Sequence, residues 1–301
     1  MSRHRTTARS LLAAALLAGL VVGTAGAHTG KPVAKRAVPQ LIFPVAGGAT
    51  YVDDFGDPRG QGGHQGNDLM APKRSPAVAA EAGTVKFWTT SARAGCMLYL
   101  HGQSGTTYLY IHLNNDRTLG NDNRGGCKPG VSFAKGLKSG AKVEAGQIVG
   151  YVGDSGDADG IASHLHFEVH PGGGAAVSPF PHLRKAKRLL FAAEPGAPFT
   201  LALNGTVVQA NDGSLELDVA SLRRYPGGLR VPKVGRRVEL AVPPHVVVLN
   251  PLGALLAAAK LAAAKPGQAA QVWTEKAETT LEAQLGAPLV LSAQRILLKQ
   301  S

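Results

Sequence analysis

Between Ala77 and His170 the chain repeats one pattern, a short run of apolar, β-branched and aromatic residues followed by a turn rich in Gly, Asp or Ser. The runs are Ala77–Ala80, Gly83–Trp88, Met97–His101, Thr106–His112, Val143–Val152 and His164–His170. Turn chemistry such as Gly102-Gln103-Ser104-Gly105 separates them. The runs are too short and too often interrupted for amphipathic helices, and 38 Gly and 19 Pro in 301 residues reinforce the interruption. Many short strands joined by glycine-rich turns predict an all-β sandwich or barrel. Residues 114–139 break the rhythm as a long polar insertion, and long loops in compact domains are commonly functional or disordered.

A second β unit is expected after Glu194-Pro195-Gly196-Ala197-Pro198. Thr200–Ala210 and Ser214–Val219 flank Asn211-Asp212-Gly213, a strong hairpin signature. Further strands are expected at Arg237–Val242, His245–Leu249, Gln271–Glu275 and Leu289–Leu298, with one helix over Leu252–Lys265 ended by Pro266-Gly267. The chain is thus divided into a signal peptide (1–27), a basic tether (28–40), a first domain (41–182), a linker (183–198) and a small β-barrel-like domain (199–301).

The N-terminus has the order of a secretory signal: Arg3, Arg5 and Arg9, an apolar run from Leu11 to Val22, then Ala25-Gly26-Ala27 as a small-x-small cleavage site. A membrane span needs about 17–25 apolar residues, so no transmembrane anchor is expected. Export suits Cys96 and Cys127 to a single disulfide, which would pin the insertion to the sheet. The net charge of +12 is uneven. Residues 40–180 carry 11 basic and 12 acidic side chains, whereas 195–301 carry 11 and seven. Basic ends on an exported chain suit an anionic envelope polymer or simple solubility. Nucleic acid is disfavoured as a partner by export and by the lack of any recognised binding motif.

The chemistry-bearing residues are spread over three of these segments. His164-Leu165-His166 lies on a strand, where residues i and i+2 share a face about 6.5–7 Å apart along the chain. One imidazole can then hold a metal while the other addresses what the metal polarises. Upstream, His64-Gln65-Gly66-Asn67-Asp68 runs from a glycine-rich loop into a strand, and Thr107–Leu113 carries a third histidine, His112, at a strand end. Each element alone is common; their co-occurrence in one β domain points to a metal site.

The ordered set resembles the LytM/lysostaphin-type zinc endopeptidases of bacterial cell walls, from about Leu41 to Pro181. It comprises His64-x-Gly66-x-Asp68-Leu69-x-Ala71-Pro72, Val78-x-Ala80-x-x-Ala82-Gly83-x-Val85, Thr107-Tyr108-x-Tyr110-x-His112-Leu113, Val143-x-x-Gly146-x-x-Val149-Gly150-x-x-Gly153 and His164-Leu165-His166-Phe167-Glu168-Val169. The insertion is longer than in minimal members, and Ile161-Ala162-Ser163 replaces the usual small residue and proline before the histidine pair.

The resemblance implies an antiparallel β-sheet groove with Zn2+ held by His64, Asp68 and His166, an open fourth position, and His112 and His164 as catalytic, non-ligand histidines. It implies peptidoglycan as the partner, hydrolysis of stem or cross-link peptide bonds as the reaction, and a secreted, wall-associated location. A non-catalytic wall-binding or hydrolase-regulating module on the same fold is the competing expectation. Arg59 lies in the groove-edge loop of the family, where it meets either a substrate carboxylate or only solvent. His170 is a candidate outer partner of the site, and the other five histidines read as surface or loop residues. No His-Glu-x-x-His occurs, which excludes a helical zinc protease of that motif.

Overall fold

The structure is a computed structural model that describes residues 37–60, 62–231, 233–257, 261 and 264–299. The expected signal peptide (1–27) and most of the expected tether (28–40) therefore lie outside the described residues. The alternation seen in the sequence becomes a six-stranded antiparallel sheet in the order Asn67–Met70, His164–His170, Thr107–Leu113, Gly95–Gly102, Gly83–Ser91, Lys142–Val143. A separate two-stranded ladder joins Pro76–Val78 to Ile148–Tyr151. The single expected run Val143–Val152 is thus two strands, because Gly146 at φ +80° turns the chain between them.

One face of the large sheet packs a core. Tyr108, Tyr110, Leu165, Phe167 and Val169 are fully buried there. The Tyr110 hydroxyl donates to the Val78 carbonyl (2.9 Å) and accepts from the Ala80 amide (2.8 Å), so this buried phenol has partners on both sides. Phe167 stands edge-on to Tyr110, with ring centroids 5.3 Å apart. The opposite face carries the histidines.

The insertion is fastened at several points. Cys96 and Cys127 form a disulfide with Cα atoms 5.1 Å apart. Phe133 stacks on Phe87 at 3.8 Å. Buried Asp116 pairs with Lys73 (2.6 Å) and accepts from the amides of Asp122 and Asn123. Its polar composition therefore hides a set of side-chain anchors, not a free loop.

Beyond Pro198 a second sheet closes on itself. Ser214–Tyr225 pairs with Pro198–Asn211, which pairs with Ala269–Thr274, which pairs with Leu291–Leu298. Arg236–Ala241 bridges Leu291–Leu298 (parallel) and Ser214–Tyr225 (antiparallel), completing a barrel-like ring. Leu201, Leu203, Leu217, Val272 and Ile296 fill its interior. The strand Leu255–Leu256 occupies part of the stretch expected to be helical, while 258–260 and 262–263 lie outside the described residues. Two short helices were not anticipated: Phe180–Lys185 and Leu281–Leu285, the latter capped by the Thr280 hydroxyl and ended by Gly286 in the left-handed conformation. Their five or six residues are too few for a 3.6-residue period to stand out.

The stretch 183–198 carries both polar and apolar character. Leu189–Ala193 is buried, and the Leu190 and Ala193 amides donate to the Gln284 backbone carbonyl and side-chain Oε1 respectively. Arg236 donates to the carbonyls of Arg188 and Leu285, both at 2.6 Å. Among the described residues, no helix is long and apolar enough to cross a membrane.

Candidate metal centre and cleft

His166 and Asp68 are direct cross-strand partners, which sets their side chains on one face. His64 reaches the same point from the loop before Asn67–Met70. Gly66 makes this approach possible: a Cβ there would lie 2.5 Å from the Phe167 carbonyl oxygen and 2.8 Å from His166 Nε2. His64 Nε2 lies 2.9 Å from His166 Nδ1 and 3.2 Å from Asp68 Oδ1, and His166 Nδ1 lies 3.1 Å from Asp68 Oδ1.

That triangle bears directly on what the three residues can hold. Zn–N and Zn–O bonds of about 2.0–2.1 Å in a tetrahedron imply ligand–ligand edges of about 3.3 Å. The observed edges approach that value, so the three atoms outline one face of a zinc-sized coordination shell. The outer ring nitrogens fix which lone pairs face inward. His64 Nδ1–H donates to the Asp54 carbonyl (2.9 Å), and His166 Nε2–H donates to Glu168 Oε1 (3.0 Å). The donor set fits a zinc ion.

The electrostatics point the same way. Burial works against a charge on His166, but the Asp68 and Glu168 carboxylates outweigh it and raise its pKa to about 9. Burial likewise opposes ionisation of Asp68 and Glu168. The Asp68 carboxyl is nevertheless held well below the usual carboxylate range by His166 and His64, and Glu168 is lowered to about 2 by His166 and His170. Without an ion, this pocket draws in a proton; it is built to hold positive charge.

His112 and His164 stand beside the triangle, with ring centroids 5.1 Å apart. Each donates Nδ1–H to a backbone carbonyl, His112 to Ser155 (2.8 Å) and His164 to Ala162 (2.9 Å). Both therefore turn Nε2 toward the cleft. Burial pushes the His112 pKa down to about 4, and the neighbouring His164 and His166 act in the same direction, against the Ser155 carbonyl. His112 is consequently a neutral acceptor at ambient pH.

Strict alternation would have put His112 on the core face with Tyr108 and Tyr110. The pairing of Thr107–Leu113 with Gly95–Gly102 shifts between Cys96↔Leu113 and Leu98↔Tyr110, so the histidine-bearing strand has one extra residue there. His112 takes φ +60° at this bulge. The bulge turns the imidazole to the site face and returns Leu113 to the core. A positive φ at a non-glycine residue is strain of the kind found at functional sites.

The structure thus gathers all five expected residues, His64, Asp68, His112, His164 and His166, around a cleft of about 530 Å³. Arg59, expected at the groove edge, lies there and donates to Asp68 Oδ2 at 3.1 Å. His170 does reach the site indirectly: its Nε2 is 2.6 Å from Glu168 Oε2. Two contributors went unread. Glu168 follows His166 by two residues, so the same strand periodicity would have found it. Asp54 sits in a Gly/Asp-rich loop with no periodicity; its carboxylate accepts from Asn67 Nδ2 (2.6 Å) and its carbonyl orients His64.

No family model matches the chain. Among curated proteins it is 30% identical over 157 residues to an L-Ala--D-Glu endopeptidase of Bacillus subtilis, covering 48% of this chain and 43% of that protein. It is 27% identical over 136 residues to the DD-carboxypeptidase/endopeptidase Mpg of Neisseria meningitidis, covering 44% of this chain and 26% of that protein. The chain spans less than half the length of these relatives. Among solved structures, the catalytic domain of the antimicrobial peptidase lysostaphin from Staphylococcus simulans matches 45% of this chain and 92% of its own, at 25% identity and a TM-score of 0.36.

Proposed function

We propose that this chain, which resembles the LytM/lysostaphin-type peptidases, is an exported zinc-dependent endopeptidase hydrolysing peptide bonds in peptidoglycan stems or cross-links. The observation that carries this reading is the triangle of His64 Nε2, Asp68 Oδ1 and His166 Nδ1, flanked by two imidazoles whose Nε2 atoms face the cleft. Two neutral imidazoles and one carboxylate would hold the ion with one position open to the cleft, the pattern of a catalytic site. When bound, the ion supplies Lewis acidity that acidifies water and polarises a carbonyl there.

The remaining work falls to the chain's own groups. His112, kept neutral by burial, accepts a proton at Nε2 as general base. His164 Nε2, 3.8 Å from Asp68 Oδ1, faces the same space, and in the imidazolium form it would direct Nε2–H at the developing negative charge or the leaving amine. The Ser155 carbonyl holds His112 in the tautomer this requires, and the Ala162 carbonyl fixes the orientation of the His164 ring. Glu168 accepts from His166 Nε2–H and so leaves the Nδ1 lone pair free to hold the ion. The barrel-like sheet after Pro198 is proposed as a separate accessory domain.

The test is digestion of purified peptidoglycan by the mature chain, with released peptides identified by mass spectrometry. Loss of new amino groups in His112→Ala, with zinc content retained, supports the reading. Wall binding without any released amino group in the unmutated, zinc-loaded chain overturns it in favour of a non-catalytic wall-binding module.

A further inference from the structure

A row of side chains crosses the outer face of the barrel-like sheet. Register places Arg230 opposite Arg223, Arg223 opposite Ala202, Ala202 opposite Trp273, and Trp273 opposite Arg295. Cross-strand partners share a face, and strands lie about 4.8 Å apart, so this row runs for roughly 19 Å. The three arginines are exposed. Among the described residues, no carboxylate lies within ion-pair distance of any of them.

Like charges set directly opposite each other across a strand pair are destabilising, so Arg223 and Arg230 repel with no acid between them. The row also has a floor and walls. Ala202, with only a methyl group, lies between Arg223 and Trp273 and opens a groove of about 410 Å³. Arg295 lies over the Trp273 ring, 3.9 Å from its centroid. In the adjacent row on one side, Ser221, Asn204 and Gln271 add hydroxyl and amide groups, and on the other side Tyr225, opposite Thr200, is 41% exposed. The opposite faces of these strands are spent on the core, with Leu201, Leu203, Leu222 and Val272 all buried.

We infer that this face binds peptidoglycan as a polyanion, with guanidinium groups on the carboxylates of its stem peptides and the aromatic and amide groups on the sugars. The choice of polymer rests on the wall-hydrolase reading; the polyanion chemistry rests on the row alone. Guanidinium forks match carboxylates in two-point hydrogen bonds, and the length of the row suits an extended polymer over a small solute. Nucleic acid would meet the same charges, and export disfavours it.

The test measures binding of the whole mature chain to insoluble peptidoglycan freed of attached phosphate polymers, across a salt series. Binding is read without turnover, so it stands or falls separately from hydrolysis. The doubly substituted Arg223→Gln, Arg230→Gln chain is expected to bind roughly tenfold or more weakly while its thermal midpoint stays level or rises, since the repulsion between the two arginines is removed. The Lys pair at the same positions is expected to keep part of the affinity and its salt dependence. Three results would each overturn the inference: equal binding by the Gln pair, binding only to walls that retain phosphate polymers, or binding to single-stranded DNA as tight as to the wall.

Discussion

Glu168 offers the sharpest quantitative check on the metal centre. Its carboxylate takes His166 Nε2–H at 3.0 Å and His170 Nε2 at 2.6 Å, so it sits one imidazole away from the proposed ion. Glu168→Gln keeps the shape and an acceptor but removes the charge. An ion of charge two roughly 7 Å from that carboxylate, at an effective dielectric of about 20, gains about 5 kcal/mol as an upper bound. His170 already neutralises part of this charge. Loss of an outer partner of this kind typically weakens metal binding 10–100-fold, or about 1.4–2.7 kcal/mol. Competition with a chromogenic chelator at neutral pH, where a Glu168 pKa of about 2 leaves the wild-type carboxylate ionised, measures it directly. A zinc dissociation constant within twofold of wild type would refute the reasoning, because His166 would then need no carboxylate to orient it.

Three further outcomes follow from the same geometry. The His112 imidazole should titrate near pH 4 by NMR. Its folded pKa is below the unfolded value of about 6.5, so its contribution to stability is full above about 6.5 and is lost as pH falls through 4; a midpoint between 6 and 7 would remove the argument that burial keeps it neutral. Gly66→Ala should lower the thermal midpoint and weaken zinc binding together, with a cost of about 1–3 kcal/mol for the overpacked Cβ; a neutral effect on both would show that the loop has room to shift. Replacing Cys96 and Cys127 by Ser opens a loop spanning 31 positions and should cost about 3–4 kcal/mol of unfolding free energy by chain entropy, read by urea denaturation; an unchanged midpoint would mean that Lys73, Asp116 and Phe133 already hold the insertion.

What could be read from residues alone followed from period two. His164 and His166 share a face because the strand alternates, and the buried Tyr108, Tyr110 and Phe167 mark the other face for the same reason. The hairpin at Asn211-Asp212-Gly213 has a turn chemistry few other structures satisfy. Periodicity fails where backbone geometry departs from it. It assigns His112 to the core, and only the extra residue in its strand reverses that. The Asp54 loop has no repeat to read, and its role depends on a carbonyl, which any residue type supplies. Long-range partners such as Lys73 and Asp116, 43 residues apart in sequence, are set by the folded topology and leave no local trace. The arginine row is a stronger case: its members come from five strands, and only the register aligns them.

The central claim is the division of labour within one strand, His166 as a ligand and His164 as a free imidazole. Zinc content by mass spectrometry of metals, measured after purification of wild type, His166→Ala and His164→Ala, tests it most directly. We expect about an equivalent of zinc in the wild type and in His164→Ala, with peptide hydrolysis lost in the latter, and little or no zinc in His166→Ala. Equal zinc in both variants, or none in the wild type, would contradict the account.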